Sequence, residues 1–122
     1  MQTKHLKTLL TCFLLCCITI TGCGNSNVKE FQENVDKFCE SYNKNVISED
    51  PLYKDVGLKN CVAALGKMTE LYEDSKNQKA YNDYMRGKIS YSTVEIILQY
   101  DQDEGTNRIK DGQLLEYLRG AN

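Results

Sequence analysis

Histidine and tryptophan are nearly missing from this 122-residue chain, which holds one histidine, His5, and no tryptophan. There is also a single proline, Pro51. No apolar run reaches the roughly 20 residues that a membrane-crossing helix requires; the longest, from Leu9 to Ile20, is interrupted by Thr11 and Thr19. A basic excess is lacking as well, with 15 lysines and arginines against 17 acids. A chain so balanced offers no electrostatic footprint for nucleic acid and no polybasic stripe for anionic lipid. Internal repeats and low-complexity tracts are absent, so the length fits one small domain.

What is there begins with a leader. Lys4 and Lys7 precede the apolar run with no acid among them, and the run ends at Ile20-Thr21-Gly22-Cys23. This arrangement resembles a bacterial lipoprotein signal peptide, in which a small residue precedes a cysteine that receives diacylglycerol before the bond ahead of it is cut. The resemblance implies removal of residues 1–22, lipidation at Cys23, a short tether over residues 23–27 and a single domain over 28–122. It further implies a membrane-anchored protein of the cell envelope. Gly24, rather than aspartate, after the cysteine fits the outer membrane, facing the periplasm, in a Gram-negative source. Cleavage takes Lys4 and Lys7 away, so basic residues fall from 15 to 13 against 17 acids, a net charge of −4. It also takes His5. Without histidine, Ser-His-Asp and Cys-His nucleophile pairs and imidazole zinc sites are excluded, and the expectation is a protein that is no enzyme and needs no cofactor or metal.

Apolar periodicity over the remainder reads as helix, and the expected fold is all-α, a small bundle of four or five short helices. Val28, Phe31, Val35, Phe38, Tyr42 and Val46 recur at three- and four-residue steps, which predicts a first helix over 28–46 with Asn27 and Glu30 as a cap. Asp50-Pro51 has the composition of an N-cap followed by a first helical residue. A second stripe follows in Leu58, Cys61, Val62, Leu65, Met68 and Tyr72, ending near Asp74-Ser75, with Gly57 as a weak point. Two antiparallel helices result. Ala80 to Arg86 reads as a short helix closed by Gly87. Ile89 to Tyr100 reads as a helix begun by a Ser92/Glu95 capping box, although its β-branched and aromatic content also suits a strand. A last helix is expected over 107–119, stopped by Gly120.

Cys39 and Cys61 remain once Cys12, Cys16, Cys17 and Cys23 are accounted for. Each lies about eleven residues from the Asp50-Pro51 junction and on its helix's apolar face, so an antiparallel hairpin brings them to the same height. In an oxidising compartment that placement predicts a disulfide stapling the first two helices. Asp101-Gln102-Asp103-Glu104-Gly105 has the opening of a calcium loop, but the glycine comes one place early and Asp111-Gly112-Gln113 stands where a bidentate glutamate belongs. A solvated acidic loop is expected instead.

All eight tyrosines follow residue 41. Tyr42, Tyr72, Tyr100 and Tyr117 border the apolar stripes and fit core-edge positions with wet hydroxyls. Tyr81, Tyr84, Arg86 and Tyr91 cluster where the pattern is least core-like, with Met85 among them. Two readings fit that segment: a polar-edged cover over the bundle, or a surface for an envelope protein partner, since Tyr, Met and Arg are enriched at interfaces. The functional expectation is a non-catalytic lipoprotein acting by protein–protein binding, of the immunity, exclusion or inhibitor type. The alternative is an accessory subunit of an envelope assembly.

Overall fold

The computed structural model describes residues 24–121, and over that range the chain is helical without strands. Cys23 and the leader lie outside the described residues. The helices are α1, Gly24–Ser41; α2, Pro51–Tyr72; α3, Gln78–Met85; α4, Tyr91–Asp103; and α5, Gln113–Ala121. A five-residue π-turn, Tyr42–Val46, closes α1, and a 3₁₀ turn, Ser75–Asn77, leads into α3. α2 is the central member: it packs on α1, α4 and α5, while α3 leans on α1. Such a helix meets neighbours on several sides, so its apolar stripe is diffuse.

The core joins one stripe from each helix. Phe31, Val35 and Phe38 of α1 meet Cys61, Leu65, Met68 and Tyr72 of α2. Tyr81 and Met85 of α3, Val94 and Ile97 of α4, and Leu114, Leu115 and Leu118 of α5 complete it. The expected hairpin is present, and Asp50 caps α2 as its position predicts, with Oδ1 accepting the Leu52 N–H at 3.0 Å and Pro51 at the first helical position. The α3 helix and its closing Gly87, at φ 77°, also fall near where they are expected.

Several expectations are corrected. α1 starts at Gly24, so the stretch expected as a tether is its first turn; once a helix has nucleated, adding a polar turn costs little. α4 is a helix, but Ser90, not Ser92, is its N-cap, accepting the Thr93 N–H at 3.4 Å. α5 begins six residues later than expected, because residues 106–109 are drawn onto the Asp101 carboxylate. Gly120 does not stop it, since α5 runs to Ala121.

The expected disulfide is not formed: Cys39 and Cys61 are free thiols. Each sulfur is engaged by a different carbonyl. Cys61 Sγ donates to Phe38 O at 3.5 Å, and Cys39 Sγ to Lys88 O at 3.6 Å in the turn after α3. Burial pushes the Cys61 thiol up to about 12, with the neighbouring Cys39 adding to the effect. Cys39 is raised too, by burial first and Asp36 second, with Lys88 opposing. Thiols held protonated in this way are poor nucleophiles at neutral pH.

Gly57, the weak point of the second helix, is a point of close approach. A Cβ there would stand 2.5 Å from Asn45 Cβ and 3.0 Å from Val46 N, so the π-turn lies directly on the α2 backbone. Gly57→Ala should therefore destabilise the fold by about 1–3 kcal/mol through overpacking, despite a helix-propensity gain of about 1 kcal/mol. Urea denaturation checks this; a rise in the midpoint would show that the turn can move aside.

Candidate functional site

The tip of the α1–α2 hairpin is built on a well-satisfied backbone. Ile47 N–H bonds Tyr42 O at 3.3 Å, Ser48 N–H bonds Asn45 O at 3.0 Å, and Asp50 N–H bonds the Ser48 hydroxyl at 3.0 Å. With the Asp50 cap and the Gly57 contact, this leaves the turn little freedom. π-Turns within helices concentrate at functional sites.

On this frame the side chains are arranged against the core. The first turn of α2 stands clear of its neighbours, so Lys54, seven residues before buried Cys61, is exposed together with Leu52 and Val56, which are out of phase with that stripe. Leu52 is 69% exposed, Ile47 63%, Tyr53 60% and Val56 44%. Four of the five large exposed hydrophobics among the described residues thus fall within ten consecutive residues; the fifth, Ile96, is on α4. Of the four charges interspersed with them, Asp50 caps α2 and Asp55 pairs with Lys59 at 2.8 Å, while Glu49 and Lys54 carry no ion pair or side-chain hydrogen bond among the described residues; the neighbouring Lys44 pairs with Glu40 at 3.0 Å. Asp55 also accepts the Tyr100 hydroxyl at 2.7 Å, tying α4 to α2 just below the tip. The Lys59 and Tyr100 hydrogen bonds hold the Asp55 carboxyl below its usual range. Burial, reinforced by Asp55, pushes Tyr100 up to about 12.

The residues expected to form a contact surface do not share one. Tyr81 is a core residue, 0% exposed, stacked on Phe31 with ring centroids 4.2 Å apart and tilted against Tyr72 at 5.9 Å. The tyrosine falls on the inner face of α3, four residues before Met85, and the polar residues around it hid that phase. Tyr84 is half-buried and donates to Asp36 on α1 at 2.8 Å, with Lys88 Nζ 4.2 Å from its ring centroid. Tyr91 opens α4, and its hydroxyl accepts from Arg119 Nε of α5 at 3.1 Å. Arg86 alone is exposed, paired with Asp83 at 3.0 Å. It borders an open groove of about 340 Å³ between the turn after α3 and the end of α5, lined also by Met85, Ile89, Tyr117 and Leu118. Tyr84 thus ties α3 to α1, and Tyr91 ties α4 to α5.

The tip residues lie outside the apolar stripe that begins at Leu58. Charges at in-phase Lys54 and Asp55, with apolar residues at out-of-phase Leu52 and Val56, are a signal that sequence inspection could have caught. Asp101 was missed in the opposite sense: the expected solvated acidic loop begins with a carboxylate only 3% exposed. Its oxygens accept the Thr106 hydroxyl, Arg108 N–H at 3.1 Å and Ile109 N–H at 3.2 Å. Among the described residues no group of three metal-ligating side chains converges, and no helix is long and apolar enough to cross a membrane. In comparisons with known proteins, the chain matches no family model, no curated protein and no solved structure.

Proposed function

We propose that this chain is a lipid-anchored, non-catalytic envelope lipoprotein that acts by protein–protein contact, in the manner of immunity, exclusion or inhibitor lipoproteins. The contact surface is the α1–α2 tip. The observation that carries this reading is the exposed first turn of α2, which leaves Leu52, Tyr53 and Val56 beside Ile47 in solvent on a rigid turn. An exposed apolar group of that kind marks an interaction surface more often than chance. Cys23 immediately precedes α1, and the helical run from Gly24 to Val46 separates anchor from tip by about 35 Å at 1.5 Å per residue. A lipid at one end and an apolar tip at the other suit a protein that meets its partner away from its own attachment point.

Mass spectrometry of the mature N-terminus should show diacylglycerol on Cys23; an unmodified cysteine or another cleavage site refutes the anchor. Replacing Leu52 and Tyr53 together with glutamate should abolish protein co-purification from solubilised envelope while leaving the helical circular dichroism unchanged, since neither side chain is in the core. Retained co-purification would place the contact elsewhere.

The hairpin staple belongs to the same reading. Cys61 Sγ already bonds the carbonyl of Phe38, the residue before Cys39, so the two thiols are neighbours across the hairpin. After export, oxidation by an envelope thiol oxidase would join them, with an expected stabilisation on the order of 3 kcal/mol for a loop of this length. Non-reducing peptide mapping of protein taken fresh from the envelope tests the bond; two alkylatable thiols would rule it out.

A further inference from the structure

We propose that Cys39 is the thiol through which the hairpin pair exchanges with a disulfide arriving from solvent, and that Cys61 is the resolving thiol that closes the bond from inside. The proposal rests on the staple described under the proposed function and assigns each sulfur its step.

The two thiols differ first in access. Cys61 is fully buried on the inner face of α2, in the cluster that holds Phe38, Leu65 and Met68, so a disulfide reaching it from outside would have to part α1 from α2. Cys39 is half-buried and leans toward the turn after α3, where its Sγ donates to Lys88 O at 3.6 Å. A thiol is a weak donor, and giving up that one bond frees Cys39 without opening the core.

Charge points the same way. The titratable groups that face Cys39 are Asp36 on its own helix, Cys61 on α2, and Tyr84 and Lys88 of α3 and its closing turn. Lys88 is the one cation among these and favours the Cys39 thiolate, against burial and Asp36. Cys61 has no such support, and burial pushes it up to about 12. The more accessible sulfur is therefore also the more readily ionised, and the thiolate is the species that attacks.

Placement gives Cys61 the second step. Its Sγ donates at 3.5 Å to the carbonyl of Phe38, the residue before Cys39, which holds it on the core side of α1. In the first step the Cys39 thiolate, its proton lost to water, attacks one sulfur of the incoming disulfide; a mixed disulfide forms, and the first leaving thiolate is protonated in solvent. Cys61, deprotonated in turn, then attacks Cys39 Sγ, so the Cys39–Cys61 bond forms, the mixed bond breaks and the second thiol departs. Two protein thiols are oxidised, and the incoming disulfide is reduced to two thiols. Few Cys61 thiolates exist at neutral pH, and the closeness of the two sulfurs offsets that scarcity.

The test uses the protein purified from the envelope in detergent and reduced, with hydroxyethyl disulfide as an uncharged reagent and peptide mass mapping of acid-quenched samples. In Cys61→Ala a mercaptoethanol adduct should accumulate on Cys39, whereas in Cys39→Ala an adduct on Cys61 should form at least about tenfold more slowly. Denaturing urea should bring the two rates together, since the fold makes the difference. In the native chain the first adduct should lie on Cys39 and give way to the Cys39–Cys61 disulfide, a readout that depends on neither variant folding. Equal rates in the folded variants, or a first adduct on Cys61 in the native chain, would overturn the assignment while leaving the staple in place. An adduct that stays on Cys39 in the native chain and never yields the disulfide would overturn the resolving role of Cys61 together with the staple.

Discussion

Tyr81→Ala is expected to lower the melting temperature by roughly 15 to 30 °C, the largest single-residue loss in this fold. The ring is fully buried and stacks on Phe31 while leaning on Tyr72, so truncation removes its transfer free energy and leaves a cavity where three helices meet. Losses of this kind cost about 3–5 kcal/mol, and for a domain near 100 residues each kcal/mol moves the midpoint by about 4–8 °C. The hydroxyl behaves differently. Among the described residues it is buried with no hydrogen bond of regular geometry, and burial raises its pKa against an opposing influence of the nearby Asn77 side chain. Tyr81→Phe should thus be neutral or stabilising by up to about 1 kcal/mol, since it removes an unpaired polar group and keeps the stack. Differential scanning calorimetry of the two variants separates ring from hydroxyl. A thermally normal Tyr81→Ala would return this residue to the surface.

Asp101→Ala should cost about 3 kcal/mol, because it strands buried donors that now share one carboxylate. The Thr106 hydroxyl and the Arg108 and Ile109 N–H groups converge on it, and they hold residues 106–109 against α2. There a Cβ on Gly66 would stand 2.9 Å from Arg108 O. Burial by itself favours the neutral acid, but those hydrogen bonds outweigh it and leave the carboxyl below its ordinary value. The folded pKa being the lower one, its contribution is complete above the unfolded value of about 4 and is lost as the pH falls through the folded value. Urea midpoints at pH 7 and near pH 3 should therefore differ more for the native chain than for Asp101→Asn. Parallel pH profiles for the two proteins would show that the carboxylate's charge is not what holds the loop.

Much of the fold is legible in the sequence. Three- and four-residue spacing places α1 and α2, Asp50-Pro51 marks the turn between them, and Gly87 closes α3. These features are local, decided by backbone conformation and by side chains one helical turn apart. The rest depends on groups distant in the chain. The helix expected from 107 does not form there: Asn107 sits at φ 49°, three donors from 106–109 bond Asp101, and α5 begins at Gln113. Ser90 rather than Ser92 caps α4, directly after Ile89, which is buried in the core with Met85. The π-turn has no sequence signature here and follows from seating Asn45 on Gly57. The tip is legible in phase, since Leu52 and Val56 fall off the line that runs through Leu58 and Cys61.

The order in which these contacts lie along the chain also bears on how quickly it folds. The α1–α2 hairpin joins neighbours in sequence across a short turn, so closing it costs little chain entropy, whereas α5 must return over some forty residues to reach α2. A folding transition state built from the hairpin follows, with α5 docking on the downhill side. Truncating Phe38 or Leu65 should then slow refolding, and truncating Leu118 should mainly hasten unfolding, a division that stopped-flow chevrons would resolve.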